Sequence, residues 1–461
     1  MLYDGYEDKS DWSDAEYDIE QARDYYDRGC CREALQKIDS ALDANPHNSN
    51  WLFNKGLVLD TLERYREALE AFEAARVLEP HDPEILNCIG VDNTRLGRYD
   101  RALDIFELLQ ETTPTYEPCY CNRIITYSEM GEHEKAEEMF YLAQQLRPDC
   151  PLCYFNIGNS LFSRQLYDRA IWCWQQTRYY DSHHPLVDYR IAQAYWAKGD
   201  FVRAKEYFLA ELRQRPGDIE VLLDTGILLL EMNQLESARE KFHRIVEMND
   251  VHSQAHHYLG EIFLHEGRLD QAVETFHRAL ALDPNQRGSH YRLGECYLRL
   301  GRYEEAREHL LAEIQFNPED PEVLLNLGCL LEEVNETIEA IRCYERVIDM
   351  SPDDLRGYHN LSISFYRMGR IDEGIELSLG ALDVNSEHVP SLINLAYAYQ
   401  KKGDCAAAID YVRQALELVH DPQIYRLARR LYRCELLSRF LRPVYRLKNK
   451  ITGHTGTNPI R

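Results

Sequence analysis

Small and apolar residues recur along this chain on fixed lattices, and the interval is 34 residues. Gly56, Gly90, Gly158, Gly226, Gly260, Gly294 and Gly328 make one lattice. Ala34, Ala68, Ala102, Ala136, Ala170, Ala204, Ala238, Ala272, Ala306 and Ala340 make a second. Pro46, Pro80, Pro114, Pro148, Pro216, Pro284, Pro318 and Pro352 make a third. One register serves all three, with repeats opening at 15, 49, 83, 117, 151, 185, 219, 253, 287, 321, 355 and 389 and closing near 422. Each lattice has a physical cause. Glycine at position 8 and alanine at position 20 let two helices approach closely. Glycine at position 15 (Gly97, Gly131, Gly199, Gly267, Gly301, Gly369, Gly403) ends the first helix in a left-handed turn, and Asn233 and Asn335 replace it there. Proline at position 32 stops the second helix. Each repeat therefore predicts helix–turn–helix. One pair cannot bury its own apolar face, but a stack of twelve can. The fold class is all-α.

Charge narrows the function. The chain has 461 residues, 44% hydrophobic and 28% charged, with 52 Lys+Arg against 78 Asp+Glu for a formal charge of −26. A dedicated nucleic-acid binder needs a basic surface, so nucleic acid is not the expected partner. No apolar run reaches the roughly 18–20 residues of a membrane span. Met1 to Ser13 are acidic and polar, without the basic and apolar regions of a signal peptide. Thirteen cysteines in a long chain do not make a small-domain disulfide framework. The expected setting is a reducing cytoplasm.

The ninth repeat carries Tyr291, Leu293, Gly294, Tyr297, Gly301, Tyr303, Ala306 and Pro318. It resembles the tetratricopeptide repeat, and the resemblance runs over residues 15–422. It implies a right-handed α-solenoid, a superhelix of helix pairs that binds protein or peptide partners and does no catalysis. A longer period of 102 residues is also present. Tyr189-Arg190-Ile191-Ala192 in repeat six reads like Tyr291-Arg292-Leu293-Gly294 in repeat nine, which points to a duplicated three-repeat block. In repeat eleven Gly374 replaces the position-20 alanine and Gly380 follows, so a soft point is expected there.

The ends differ. Residues 1–14 are expected to be a disordered acidic tail. Residues 423–461 hold ten Lys/Arg and one Glu, so residues 1–422 carry −35. Ile424, Leu427, Leu431, Cys434, Leu437, Leu441 and Val444 make a helical stripe, with Arg426, Arg429, Arg430 and Arg433 largely off it. The stretch 423–449 reads as a basic amphipathic helix that caps the last repeat, or as a peripheral contact with a membrane surface or acidic partner. Residues 450–461 are expected to be a disordered tail.

In arrays of the resembled family, positions 2, 5, 6, 9, 12 and 13 of the first helices line the concave groove. By register, position 6 holds Asn54, Asn122, Asn156, Asn326, Asn360 and Asn394, and Asn159 lies at position 9. An amide both donates and accepts, so such a ladder can pair with a peptide backbone of any sequence. It resembles the asparagine ladder of O-linked N-acetylglucosamine transferases, without their catalytic domain. A structural reason for asparagine at that position is the alternative. In the middle the ladder gives way to Tyr189, Arg190, Trp196, Tyr258, Tyr291 and Arg292, and aromatics and arginine dominate binding hot spots. Arg190 and Arg292 would receive a carboxylate. Against this, both repeats with Arg at position 6 carry Glu at position 27 (Glu211, Glu313), which would make compensated internal pairs. The carboxylate clamp of chaperone-binding relatives is broken, because only Asn156 and Arg190 match it while Cys121, Ile125 and Leu186 fill its other places.

Catalytic motifs are missing: no Walker loop, GxSxG or HExxH occurs. His257, Glu261 and His265 share an inward face, but i to i+8 spans about 12 Å, too far for one ion. Cys119, Cys121, Cys150 and Cys153 gather near one junction and could hold zinc or a redox pair, against the reading that they only fill space. No cofactor or metal is assigned. The reading is a non-catalytic scaffold that binds extended or helical partner segments in its groove. The alternative is an adaptor docked through its basic C-terminal helix, or a regulatory subunit that recruits a catalytic partner.

Overall fold

The computed structural model describes residues 13–316, 318–433 and 436. Twenty-four α-helices run from Ser13 to Leu418, and residues 422–433 are helical beyond them. First helices of pairs open at Ser49, Pro83, Glu117, Pro151, Ile219, Ser253, Pro321, Leu355 and Val389, each 34 residues or twice that from the last. The residue before the helix fixes several of these starts. Asn48 accepts a hydrogen bond from the Trp51 N–H at 3.2 Å, Asp82 from Glu84 and Ile85, Asp218 from Val221, and Asp320 from Glu322. These side chains satisfy first-turn donors that have no partner inside the helix. Pro83, Pro151 and Pro321 then occupy the first helical position, where a missing N–H costs nothing.

First helices end on a left-handed residue. Gly97, Asn233 and Asn335 have φ of 69°, 56° and 64°. Glu63 and Gln165 take the same conformation at the same repeat position, with φ of 59° and 60°, although their side chains disfavour it. The position-8 glycines are explained by the second helix of the same pair. A methyl group on Gly56, Gly90, Gly158, Gly260 or Gly328 would overlap the ring of Phe72, Phe106, Trp174, Phe276 or Tyr344. The position-20 alanines, Ala68, Ala102, Ala170 and Ala306 among them, are fully buried.

The chain forms two compact bodies, Met1–Gln234 and Leu235–Arg461. Each is an α-solenoid of stacked helix pairs. The first is cored by residues such as Phe106, Tyr120, Trp174, Tyr189 and Phe208, and the second by Phe276, Leu293, Leu310, Leu327 and Tyr344. Repeat seven gives its first helix, Ile219–Glu231, to the first body and its second, Leu235–Met248, to the other.

In repeat eleven the two glycines differ in kind. The Tyr366 ring fills the space where a Gly374 methyl would stand, and its hydroxyl shares a 3.0 Å hydrogen bond with Ser378. At Gly374 the ring of Tyr366 thus takes the space that the usual alanine methyl would fill. Gly380 would place a methyl 3.6 Å from Tyr358, an ordinary contact.

At the C-terminal end Ile424, Leu427, Ala428 and Leu431 are buried in one cluster with Leu392, Ala396, Ala408 and Val412. Arg426, Arg429, Arg430 and Arg433 are exposed. The rest of the basic stretch 423–449 beyond 433, apart from Leu436, and the tail 450–461 lie outside the described residues, as do residues 1–12 of the acidic tail expected over 1–14. Ser13 already belongs to the first helix.

Candidate functional site

Within each body the first helices of successive repeats lie side by side, joined by bonds between residues about one repeat apart. The asparagine register runs along this seam. Asn122 Nδ2 donates to Asn87 Oδ1 at 2.8 Å, Asn156 Nδ2 to the Cys121 carbonyl at 3.0 Å, and Asn394 Nδ2 to Ser362 Oγ at 3.2 Å. Asn360 Nδ2 lies 3.6 Å from Cys329 Sγ. Asn54 and Asn156 are only 1% and 5% exposed. In the first body these amides stitch one repeat to the next, which is the structural reason the sequence left open. The Asn159 side-chain oxygen is buried with no hydrogen-bond partner among the described residues. Asn326 is exposed, and Asn360 and Asn394 are half-buried.

The residues that interrupt the ladder are held by acids. The Tyr189 hydroxyl donates to Asp224 at 2.8 Å and Glu220 at 3.0 Å, and burial together with these carboxylates pushes the phenol far above its ordinary range. Gln193 Nε2 donates to the same Asp224 oxygen, and Arg190 Nη1 donates to Gln193 Oε1 at 3.0 Å. The Trp196 indole N–H donates to Glu231 at 2.7 Å. In the second body Tyr258 stacks on Phe242 with centroids 5.2 Å apart. Arg292 lies over the Tyr291 ring and bonds Glu261 at 2.5 Å and Glu295 at 2.9 Å; Arg299 bonds Glu295 from the other side at 2.5 Å. Arg292 therefore already holds two carboxylates. His257 shares a 2.8 Å hydrogen bond with Ser289 Oγ, and burial, with Arg292 nearby, pushes its pKa down to about 4. His257 Nε2 is 3.6 Å from Glu261, while His265 is exposed.

Pairing of Arg190 with Glu211 and Arg292 with Glu313 is corrected by the structure. Glu313 accepts the backbone N–H groups of Gly288 and Tyr291 at 3.2 and 2.9 Å. Glu211 accepts the Tyr189 N–H at 3.3 Å and the Arg215 guanidinium at 2.8 Å. The reason lies in the first helices of repeats six and nine. They are Val187–Ala197 and Ser289–Arg299, 11 residues each where 13 is usual, and each is preceded by a left-handed residue, Leu186 or Gly288, that offers no side-chain acceptor to the first turn. The position-27 carboxylate takes over as acceptor for the uncapped first turn. It is a capping device reached from the second helix.

Two adjoining cavities open on the first helices of repeats nine to eleven. One, of about 400 Å³, is lined by Tyr291, Glu295, Arg299, Asn326, Cys329 and Glu333 among others. The next, of about 370 Å³, shares Cys329 and Glu333 and adds Glu332, Tyr344, Asn360 and Arg367. Arg367 is bonded to Glu332 at 2.7 Å. Tyr291, Asn326 and Asn360 are thus brought into one trough.

Tetratricopeptide repeat models match residues 19–83, 59–117, 155–219 and 223–287, a second model matches 119–150 and 321–354, and two others match 263–324 and 391–424. This chain is a tetratricopeptide repeat protein. Such proteins are protein-interaction scaffolds and are typically non-catalytic. No curated protein matches the sequence. Among solved structures, the APC/C hetero-tetramer Cut9-Hcn1 is 16% identical over 90% of this chain and 96% of that one, with a TM-score of 0.41. Yeast Tom70 is 15% identical over 95% and 99%, with a TM-score of 0.39. YrrB, described as a TPR protein with an unusual peptide-binding site, is 17% identical over 41% and 97%, with a TM-score of 0.37.

This tetratricopeptide repeat protein also carries a cysteine cluster that differs from the four-thiol expectation. Cys119 turns away, its Sγ 3.3 Å from the Phe106 carbonyl, and burial pushes its thiol up to about 12. Cys121 and Cys153 are joined as a disulfide with Cα atoms 5.1 Å apart, and Cys150 Sγ is 3.7 Å from Cys121 Sγ. Glu117 takes the place foreseen for Cys119, its Oε1 2.7 Å from Cys121 Sγ and 3.1 Å from Cys153 Sγ. The sequence signal for Glu117 was available, because it stands one helical turn before Cys121.

Proposed function

We propose that this tetratricopeptide repeat protein is a non-catalytic scaffold that holds an extended or helical segment of a partner protein along its first-helix groove. The observation that carries the reading is the trough over Tyr291, Asn326 and Asn360. Asn326 is exposed and Asn360 half-buried there, so their amides can meet a partner backbone that both donates and accepts. Glu295, Glu332 and Glu333 outnumber Arg299 and Arg367 in the same trough, and the whole chain carries −26. A basic segment is the complementary partner, in place of the carboxylate that free arginines would have invited. A reducing cytoplasm is the proposed setting, in which Cys121 and Cys153 would stand as thiols.

A second reading is favoured by the exposed Arg426, Arg429, Arg430 and Arg433 beside the buried Ile424 and Leu427. In it the chain is an adaptor whose C-terminal segment touches an anionic surface while the groove holds cargo.

Peptides selected from a random display library on the full-length chain test the first reading. Fluorescence anisotropy should give selected peptides rich in Lys and Arg, and Asn326→Ala with Asn360→Ala should weaken them about tenfold, near 1.4 kcal/mol. Selected peptides that bind this double variant and the parent equally would move the site elsewhere.

A further inference from the structure

Glu117, Cys121, Cys150 and Cys153 meet where the fourth repeat packs on the fifth. One carboxylate oxygen and three sulfurs lie within 4.8 Å of one another, with the three cysteines buried and Glu117 half-buried. We propose that, with the Cys121–Cys153 disulfide reduced, these four residues bind one zinc ion.

The donor set fits the metal. Thiolates select zinc over magnesium or calcium, and structural zinc is held by four ligands in a tetrahedron. A zinc–sulfur bond of about 2.3 Å gives sulfur–sulfur edges of about 3.8 Å. The Cys121–Cys150 separation is 3.7 Å. The Cys121 and Cys153 α-carbons are 5.1 Å apart, so both sulfurs can reach one centre once the bond between them is broken. Backbone elements prepare the site. Cys150 stands in the helix-cap position that Asn48, Asp82, Asp218 and Asp320 fill in other repeats, and its sulfur accepts the Cys153 N–H at 3.4 Å. Glu117 is the first residue of the helix Glu117–Glu129, and Cys153 lies in the first turn of Pro151–Ser163. Both helix N-termini face the excess negative charge that three thiolates and a carboxylate leave around a divalent ion.

The carboxylate supplies a second argument. In the oxidised junction the Cys150 thiol is the hydrogen-bond partner of Glu117, while the disulfide sulfurs of Cys121 and Cys153, 2.7 and 3.1 Å from Glu117 Oε1, have no proton to give it. A cation at the centre would bind this carboxylate oxygen and all three sulfurs together. The chemistry balances simply. A phosphine reductant delivers two electrons and becomes the phosphine oxide, water supplies the protons, and Cys121 and Cys153 become thiols. Zinc then displaces three thiol protons to the buffer as three zinc–sulfur bonds form.

Full-length protein, reduced with phosphine and equilibrated with zinc chloride, is washed and analysed for metal. The parent and Cys119→Ser should each retain one zinc per chain, while Cys121→Ser, Cys150→Ser and Cys153→Ser retain far less. Cobalt chloride should give the parent the intense visible bands and thiolate charge-transfer absorption of a tetrahedral thiolate site. Circular dichroism checks that each variant is helical; where one unfolds, the parent's cobalt spectrum decides alone. No zinc retained by the reduced parent, the weak spectrum of an octahedral cobalt ion, or retention undiminished in a folded Cys150→Ser chain would overturn the proposal.

Discussion

Asn156 and Asn326 share one repeat position, yet their surroundings assign them opposite work. Asn156 is buried and donates to the Cys121 carbonyl as a second donor beside the helix's own N–H, so Asn156→Ala removes one buried inter-repeat hydrogen bond and should cost about 0.5–1.5 kcal/mol in urea unfolding. Asn326 is exposed, and Asn326→Ala should change stability by less than about 0.5 kcal/mol. His257 makes a pH-dependent contribution. Burial, reinforced by Arg292, holds its folded pKa at about 4 against an ordinary 6.5. The folded chain thus binds fewer protons than the unfolded chain between these values, so this contribution is complete above about 6.5 and is lost as pH falls toward 4. Relative to His257→Gln, the parent should lose stability between pH 7 and pH 5, read by denaturant midpoints at each pH. A constant difference across that range would refute the assignment. The asparagine column was legible in the sequence. Its division into buried and exposed members was not, because register gives the face of a helix and not the depth of the neighbour packed on it.

At the scale of the helix pair, two consensus residues are predicted to act against expectation. Alanine is usual at position 27, but Glu313→Ala removes the acceptor for the Gly288 and Tyr291 N–H groups and should destabilise by about 1–3 kcal/mol. Glu313→Gln keeps an acceptor oxygen and should lose less, as thermal unfolding can measure. Alanine is also usual at position 20, but Gly374→Ala collides with Tyr366 and should cost about 1–3 kcal/mol. Gly380→Ala meets only an ordinary contact and should gain up to about 1 kcal/mol from helix propensity. Helix pairs, turns and close approaches were readable because Gly, Ala and Pro each answer to a local rule. The coupling of Arg190 with Glu211 and of Arg292 with Glu313 was readable as a correlation only. Its cause, a first helix two residues short at each site, depends on the left-handed backbone at Leu186 and Gly288. Glycine allows that turn at 288, but leucine gives no hint of it at 186.

At the scale of the whole molecule, twelve sequence repeats account for almost all of residues 13–418 as paired helices. The helix pairing was contained in the 34-residue period, and the family, with the scaffold class it implies, was legible as a resemblance in residues such as Tyr291, Gly294, Tyr297 and Ala306. The particular trough was not, since it depends on which arginines are neutralised by neighbours. Arg292, Arg299 and Arg367 are each bonded to neighbouring carboxylates, which is why the proposed partner segment is basic although the sequence displays arginine. The central claim is that partners bind on the first-helix face. Amide hydrogen exchange of the full-length chain, with and without a library-selected peptide, tests it most directly. Slowed exchange should concentrate in Ser289–Arg299, Pro321–Glu333 and Leu355–Arg367. Slowing confined to second helices such as Tyr303–Gln315 and Thr337–Met350, or to residues 422–433, would contradict it.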